Sequence, residues 1–180
     1  MLGMHSRICE LLHYLDEERS GLRTAFHAVP VAVRDRPPRP GRWSAAGVIE
    51  HVAIVEARTA QRLQDRIAVA RAEGIATEEN VAPVLPTLNL RRVLDRGVRI
   101  EAAEAVRPTG LSADAAWMAL EEAGIAVRDA LRSGDGLALG TVFLPHRIFG
   151  QAPVYYYFAF VAAHESRHGH QLLEIAVSFR

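Results

Sequence analysis

The sequence contains no lysine, and all 21 of its basic residues are arginine. This absence excludes catalysis through a lysine Schiff base and phosphate binding by a P-loop, because both require that residue. The 21 basic residues are balanced by 21 acidic residues. The chain therefore has no net charge that would favour nucleic acid or an anionic membrane, and neither is expected as a partner.

Cysteine and long hydrophobic runs are also scarce. Cys9 is the only cysteine, so no disulfide can form within the chain, as is typical of cytoplasmic proteins. Charged residues interrupt the first 20 positions and leave no apolar region of a signal peptide. The longest nearly uncharged apolar run, Ala152 to Ala163, is shorter than the roughly 20 residues that a membrane-spanning helix needs. We expect a cytoplasmic protein.

Helical periodicity is present in four segments, with apolar residues at every third or fourth position. Ser44 and Ser112 are suited to cap the second and third helices, and Pro153 fits the first turn of the fourth. The four helices are predicted to end before Pro30, at about Arg71, before Gly134 and at about Val177. No segment alternates strongly enough to need a sheet. The sequence thus predicts a single all-α domain over residues 1–180, a four-helix bundle without a sheet.

The connector between the second and third helices is unusually long. It runs from Glu73 to Leu111 and is punctuated by glycine and proline, whereas loops in helix bundles typically have about 2–8 residues. We predict that it is largely irregular, with a short helix around Asn89 to Asp95. A crossover of this length can run along the bundle and let the second and third helices lie parallel, which predicts an up-down-down-up order.

The stretch "HESRHGH", His164 to His170, contains the H-E-x-x-H pattern of helix-borne metal sites. His164 and His168 lie about 40° apart on one helical face. Tyr157, Val161 and Gln171 continue that stripe and are expected to line a pocket there. A buried imidazole pair needs partners. Both a divalent metal and hydrogen bonds to backbone or carboxylate groups remain open.

A metalloprotease is a remote alternative, because its third ligand would have to lie downstream. Only residues 169–180 follow His168. Gln171 stands where the extended protease motif has glycine, and Glu174 stands where it has the last histidine. Glu165 lies about 100° around the helix from His164, which is a poor position for the only catalytic base.

His51 is the upstream candidate for a third ligand. It lies on the apolar stripe of the second helix, at a depth similar to that of His168 if the two helices run antiparallel, roughly 10–15 Å from the same end. Three histidines leave coordination positions open, which is typical of a catalytic rather than a structural site. Glu165 or Glu56 could orient a ligand histidine or transfer a proton.

Two segments together resemble the DinB-like superfamily of bacterial metal-binding four-helix bundles. They are "RWSAAGVIEHVAIVE" and "PHRIFGQAPVYYYFAFVAAHESRHGHQLLEI", and "RIEAAEAVRPTGLSADAAWMALEEA" looks like the family's crossover and third helix. The residues that fit the family pattern are Trp43, Ser44, His51, Glu56, His164, Glu165, Arg167, His168 and Gln171.

The resemblance implies a three-histidine site for a divalent ion such as zinc, nickel or iron, and often a homodimer. Related proteins include transferases that use low-molecular-weight thiols such as bacillithiol or mycothiol, and a mycothiol-dependent maleylpyruvate isomerase. The implied activity is metal-dependent activation of a thiol cosubstrate or of water, with a small molecule as the substrate. A bundle that binds a metal or small ligand without turnover, and a scaffold with vestigial histidines, remain alternatives.

Overall fold

The computed structural model describes residues 3–98, 100–146 and 150–180. Four long α-helices make up most of this part of the chain, as the periodicity predicts. In chain order the elements are α1 (Ser6–Ala28), α2 (Ala45–Ala72), α3 (Arg91–Leu94), α4 (Ala113–Ser133), β1 (Phe143–His146), β2 (Gly150–Pro153) and α5 (Val154–Ser178). None of the helices in these residues combines the length and the apolarity that crossing a membrane requires.

Three of the four long helices, α1, α2 and α4, begin where a side chain accepts a hydrogen bond from a free backbone N–H group. The Ser44 hydroxyl accepts a hydrogen bond from the Gly47 N–H at 3.0 Å, and the Ser112 hydroxyl accepts one from Ala115 at 3.3 Å. Both caps agree with the prediction. Pro153 is the residue before α5 and not part of its first turn, because its extended backbone pairs with Phe143.

The helical bundle agrees with the prediction, but the expectation that no sheet is present is wrong, because β1 and β2 form an antiparallel pair. Phe143 is opposite Pro153, and His146 is opposite Gly150. Each strand has four residues and includes a proline. In so short a segment, the alternation of apolar and polar residues that indicates a strand cannot be distinguished from the sequence of a loop. The residues that join the strands, 147–149, lie outside the described part of the chain.

The connector from α2 to α4 contains little regular structure in its described residues. The short helix expected around Asn89 to Asp95 is α3, and it packs against α5. Short 3-10 turns lie at Leu85–Thr87 and Glu104–Val106. The Glu10 carboxylate of α1 accepts hydrogen bonds from the backbone N–H groups of Val84 at 2.7 Å and Leu85 at 3.1 Å. The connector is thus fixed to the outside of the bundle.

The apolar core consists of two clusters. One is built around Leu11, Leu63, Val127 and Phe158, and the other around Phe26, Val52, Leu120 and Leu172. Between them along the helices lie the buried polar side chains of Arg19, Glu56, His164, Glu165 and His168, and the buried His51 lies beside Val52 of the second cluster. We call this group the polar layer. Burying ionisable groups in a core is unfavourable unless they are paired or bind a cation, so the polar layer is the candidate functional site.

Candidate metal centre

Three histidines from two helices meet in the polar layer. His51 of α2 is 6% exposed, and His164 and His168 of α5 are 9% and 7% exposed. The nitrogen atoms that they offer as ligands all lie within 4.8 Å of one another. The Nε2 atoms of His164 and His168 are 3.1 Å apart. The structure therefore brings together the three histidines that the sequence analysis selected.

Two of the imidazoles are oriented by hydrogen bonds on their outer side. The Nδ1 atom of His51 lies 2.7 Å from the carbonyl oxygen of Val106 in the connector. That of His168 lies 2.9 Å from Oε1 of Gln171, one turn further along α5. Each acceptor requires an N–H at Nδ1, so Nε2 of each ring carries the lone pair. Hydrogen bonds of this kind orient the histidine ligands of metal sites.

His164 shows that a cation fits this site. Its Nδ1 atom is buried without a hydrogen-bond partner among the described residues. If the ring carries its proton there, its Nε2 lone pair faces the Nε2 lone pair of His168 across 3.1 Å, and the two repel. A proton placed on Nε2 instead leaves Nδ1 as an unpaired buried acceptor. A divalent ion accepts lone pairs from both Nε2 atoms, and neutral imidazole nitrogens are common ligands of such metals.

The protonation state of the three rings also suits a metal. Burial and the neighbouring imidazole of His51 lower the pKa of His168 to about 3. Burial, with His168 second, holds the pKa of His164 well below its ordinary value. Burial lowers the pKa of His51 as well, and the hydrogen bond to Val106 acts against that shift. All three are thus neutral at physiological pH, which is the form that coordinates metals.

Aromatic rings cover two of the histidines. Trp43 lies against His51 with ring centroids 4.9 Å apart, and Phe160 stacks on His164 at 5.4 Å. Phe160 also contacts His146 of β1, with ring centroids 5.2 Å apart. Trp43, the residue before the Ser44 cap, and Phe160 of α5 therefore form aromatic walls beside the histidines. Such walls limit access of water to the site.

The three residues predicted to line a pocket, Tyr157, Val161 and Gln171, lie in three different surroundings. Gln171 contacts His168 directly, as described above. Tyr157 is 2% exposed and its hydroxyl donates to the carbonyl oxygen of Leu144 under the hairpin at 3.2 Å. Val161 is part of the apolar cluster of Leu11 and Phe158. Of the three, Gln171 is the one with a hydrogen bond to a histidine.

The two glutamates proposed to assist the metal belong to a buried ion cluster with Arg19 of α1. Arg19 Nε donates to Oε2 of Glu165 at 2.9 Å, and Nη2 donates to Oε2 of Glu56 at 2.6 Å. Burial, and then the charge of Glu165, raise the pKa of Glu56 well above its ordinary value. The outer nitrogens of His51 and His168 bond to Val106 and Gln171, so neither of these rings is oriented by a glutamate.

The sequence analysis missed Arg19, although the sequence contains a signal for it. Leu15, Arg19, Leu22 and Phe26 follow helical spacing on the apolar stripe of α1. An arginine on that stripe requires a buried anionic partner. The partners, however, come from α2 and α5, and their positions could not be derived without the three-dimensional fold.

The connector contacts were also missed. The Glu50 carboxylate accepts hydrogen bonds from the backbone N–H groups of Thr109, Gly110 and Leu111 at 2.7–3.0 Å. This fixes the end of the connector beside His51, three residues beyond Val106. Arg167 of α5 donates to the carbonyl oxygens of Val93 at 2.9 Å, and of Asp95 and Val98, both at 2.7 Å. The connector is thus attached to both helices that carry the histidines.

Fold and site together define a helical bundle with a buried three-histidine centre suited to a divalent metal. The chain belongs to the DinB superfamily, whose sequence model matches residues 14–172. The matched region includes all three histidines. Comparisons with curated proteins and with solved structures give no match.

Proposed function

We propose that the protein is a metal-dependent enzyme of the thiol S-transferase type, in which His51, His164 and His168 hold a divalent ion. The observation that carries the proposal is the convergence of three neutral imidazoles on one point. Three protein ligands leave at least one position for a cosubstrate, as in catalytic zinc sites. When bound, the ion would lower the pKa of a coordinated low-molecular-weight thiol or of water.

The chain itself contributes orientation and exclusion of water. Val106 and Gln171 hold His51 and His168 with their Nε2 atoms inward. Trp43 and Phe160 cover the rings of His51 and His164. A site of low polarity strengthens the interaction between a cation and a thiolate. These features support a reaction in which a small thiol is ionised and then attacks an electrophile.

Imidazole donors are compatible with several ions. Zinc and nickel are the metals we propose first, with iron as a further candidate, because neutral nitrogen ligands suit all three. The donor set contains no cysteine and, in the described contacts, no carboxylate. Sites of this kind do not favour the hard, oxygen-preferring ions magnesium and calcium.

The metalloprotease alternative has little support from the geometry. A protease base would have to face the metal-bound water, but Glu165 is 0% exposed and paired with Arg19. A binding bundle without turnover is a stronger alternative. The aromatic walls and the outward hydrogen bonds would serve storage or sensing of a metal equally well, so only turnover distinguishes the two.

We also propose the up-down-down-up order of the four long helices. Leu22 lies beside Gly169, and Arg19 lies beside Glu165. Because both pairs follow the same order along the two helices, α1 and α5 run parallel. Glu50 contacts Leu111 near one end of α2, and Ile67 lies near Gly134 toward the other. These contacts support parallel α2 and α4.

A homodimer remains a proposal. The outer face of α4 and the residue before its cap expose three large apolar side chains, Leu111, Met118 and Ile125. Exposed apolar patches often mark protein contacts, which supports pairing through this face. Light scattering at micromolar concentration should give about twice the chain mass of 19.8 kDa. A mass of one chain would contradict it.

Turnover is tested by measuring the loss of an electrophile in the presence of candidate thiols. Protein loaded with zinc or nickel should consume the electrophile only when a thiol is added. His51→Ala should abolish the reaction. His170→Ala is the matched control, because His170 is exposed and lies on the same helix as His168. Equal rates for wild type and His51→Ala would contradict the proposal.

A further inference from the structure

A groove of about 220 Å³ lies beside the metal centre, between the loop before α2 and the last turns of α5. Arg39, Arg42 and Trp43 line it on the loop side, and Gln171 and Glu174 line it on the helix side. Its inner end adjoins the histidines, because Trp43 contacts the ring of His51 and Gln171 bonds to His168. We call it the arginine groove.

The four arginines of this loop fall into two groups. Arg34 lies 4.4 Å from the ring centroid of Phe26, and Arg36 lies 4.8 Å from that of Phe179. These two are occupied in packing the loop onto the bundle. Arg39 and Arg42 are exposed and make no side-chain hydrogen bond or ion pair within the described residues. The two unpaired guanidinium groups are the ones that line the groove.

The charge of the groove is positive. Glu174 is its one acidic lining residue, and its carboxylate is paired with Arg96. The groove also adjoins the N-terminal end of α2, where the helix dipole is positive. Guanidinium groups bind carboxylates and phosphates through paired hydrogen bonds. An oxyanion is therefore the ligand chemistry that the groove fits.

We propose that the arginine groove binds the carboxylate or phosphate group of an anionic substrate whose reactive atom reaches the three histidines. The inference rests on the proposed function, since it assigns a substrate class to that site. Arg39 and Arg42 hold the charged end of the substrate. Trp43 and Gln171 lie between the charged end of the substrate and the metal centre, since each lines the groove and contacts one of the histidines.

The groove is tested first without metal. Succinate, a dicarboxylate that has no thiol, is titrated into the full chain and followed by NMR. The double variant R39Q/R42Q should bind succinate at least about tenfold more weakly than wild type, because charge-assisted hydrogen bonds are lost. The control R66Q/R132Q removes the same charge from exposed ion pairs toward the other end of α2 and α4, and it should bind as wild type does. Equal affinity for wild type and R39Q/R42Q would overturn the inference.

The link to the histidines is tested in cobalt-loaded protein by visible absorption. Mercaptosuccinate should bind at least about tenfold more tightly than uncharged thioglycerol, and R39Q/R42Q should remove this advantage without changing thioglycerol binding. An advantage that persists in R39Q/R42Q would overturn the inference. If neither thiol alters the cobalt spectrum while succinate binding still depends on the arginines, the thiol chemistry fails and the oxyanion site stands.

Discussion

At the scale of single residues, Gln171 connects the helix face to the metal centre. Its Oε1 atom accepts from Nδ1 of His168 at 2.9 Å and thereby presents Nε2 of that ring to His164. Gln171→Leu should lower metal affinity by about 10- to 100-fold, because the ring loses its orienting partner. Gln171→Glu keeps an acceptor and should restore most of the affinity. Competition with a coloured chelator measures both, and unchanged affinity in Gln171→Leu would contradict the assigned role.

The lowered pKa values of the histidines give a second prediction at this scale. An imidazole with the ordinary pKa near 6.5 loses about tenfold in metal affinity per pH unit below that value, because protons compete for the lone pair. The pKa of His168 is lowered to about 3, and those of His51 and His164 are also lowered. Protons therefore compete less for these lone pairs than for those of ordinary imidazoles, and the competition begins at lower pH.

Metal affinity should therefore fall by much less between about pH 7.5 and 5.5 than the roughly thousandfold loss expected of three ordinary imidazoles. Equilibrium dialysis followed by elemental analysis measures the affinity directly at each pH. A steep loss of affinity beginning near pH 6.5 would show that the rings titrate as exposed histidines do.

At the scale of the helices, the cluster around Arg19 joins all four long helices at one level. Arg19 extends from α1 to Glu56 of α2 and Glu165 of α5, and its Nη1 atom donates to the carbonyl oxygen of Leu120 of α4 at 3.1 Å. Glu165 follows His164 directly in the sequence. The cluster thus fixes the level at which the histidine-bearing helices meet, and breaking a buried ion pair typically costs about 3–5 kcal/mol.

Gly124 and Gly169 lie in helices and differ in the space around them, so replacing each with alanine tests how tightly the helices pack near Arg19. A Cβ atom on Gly124 would lie 2.8 Å from both Nη atoms of Arg19, which is held by two carboxylates and cannot move freely. A Cβ on Gly169 would have its nearest neighbour at 3.7 Å, which is ordinary contact. Alanine favours a helix over glycine by about 1 kcal/mol.

Gly169→Ala should therefore raise the free energy of unfolding by up to about 1 kcal/mol, while Gly124→Ala should lower it. Urea denaturation of the metal-free protein measures both changes, and each variant is the other's control. If Gly124→Ala raised the free energy of unfolding, the Arg19 guanidinium would have room beside a Cβ atom at position 124, and the prediction would be wrong.

At the scale of the whole molecule, most of the features that could be predicted were set by local sequence, and His51 was a distant partner that its apolar stripe and depth along the helix indicated. Ser44 and Ser112 mark helix starts, and the spacing of His164 and His168 places both rings on one face. The hairpin was missed because strands of four residues carry too little pattern. The partners of Arg19 and the contact from His51 to Val106 were missed because they join residues 37 to 146 positions apart.

The central claim is that His51 of α2 completes a metal site with His164 and His168 of α5. Elemental analysis of protein purified with zinc or nickel in the medium tests it most directly. Wild type and His170→Ala should each carry about one ion per chain, and His51→Ala should carry almost none while staying helical, because packing supplies most of the stability of helices in proteins. Full metal occupancy in His51→Ala, or none in wild type, would contradict the claim.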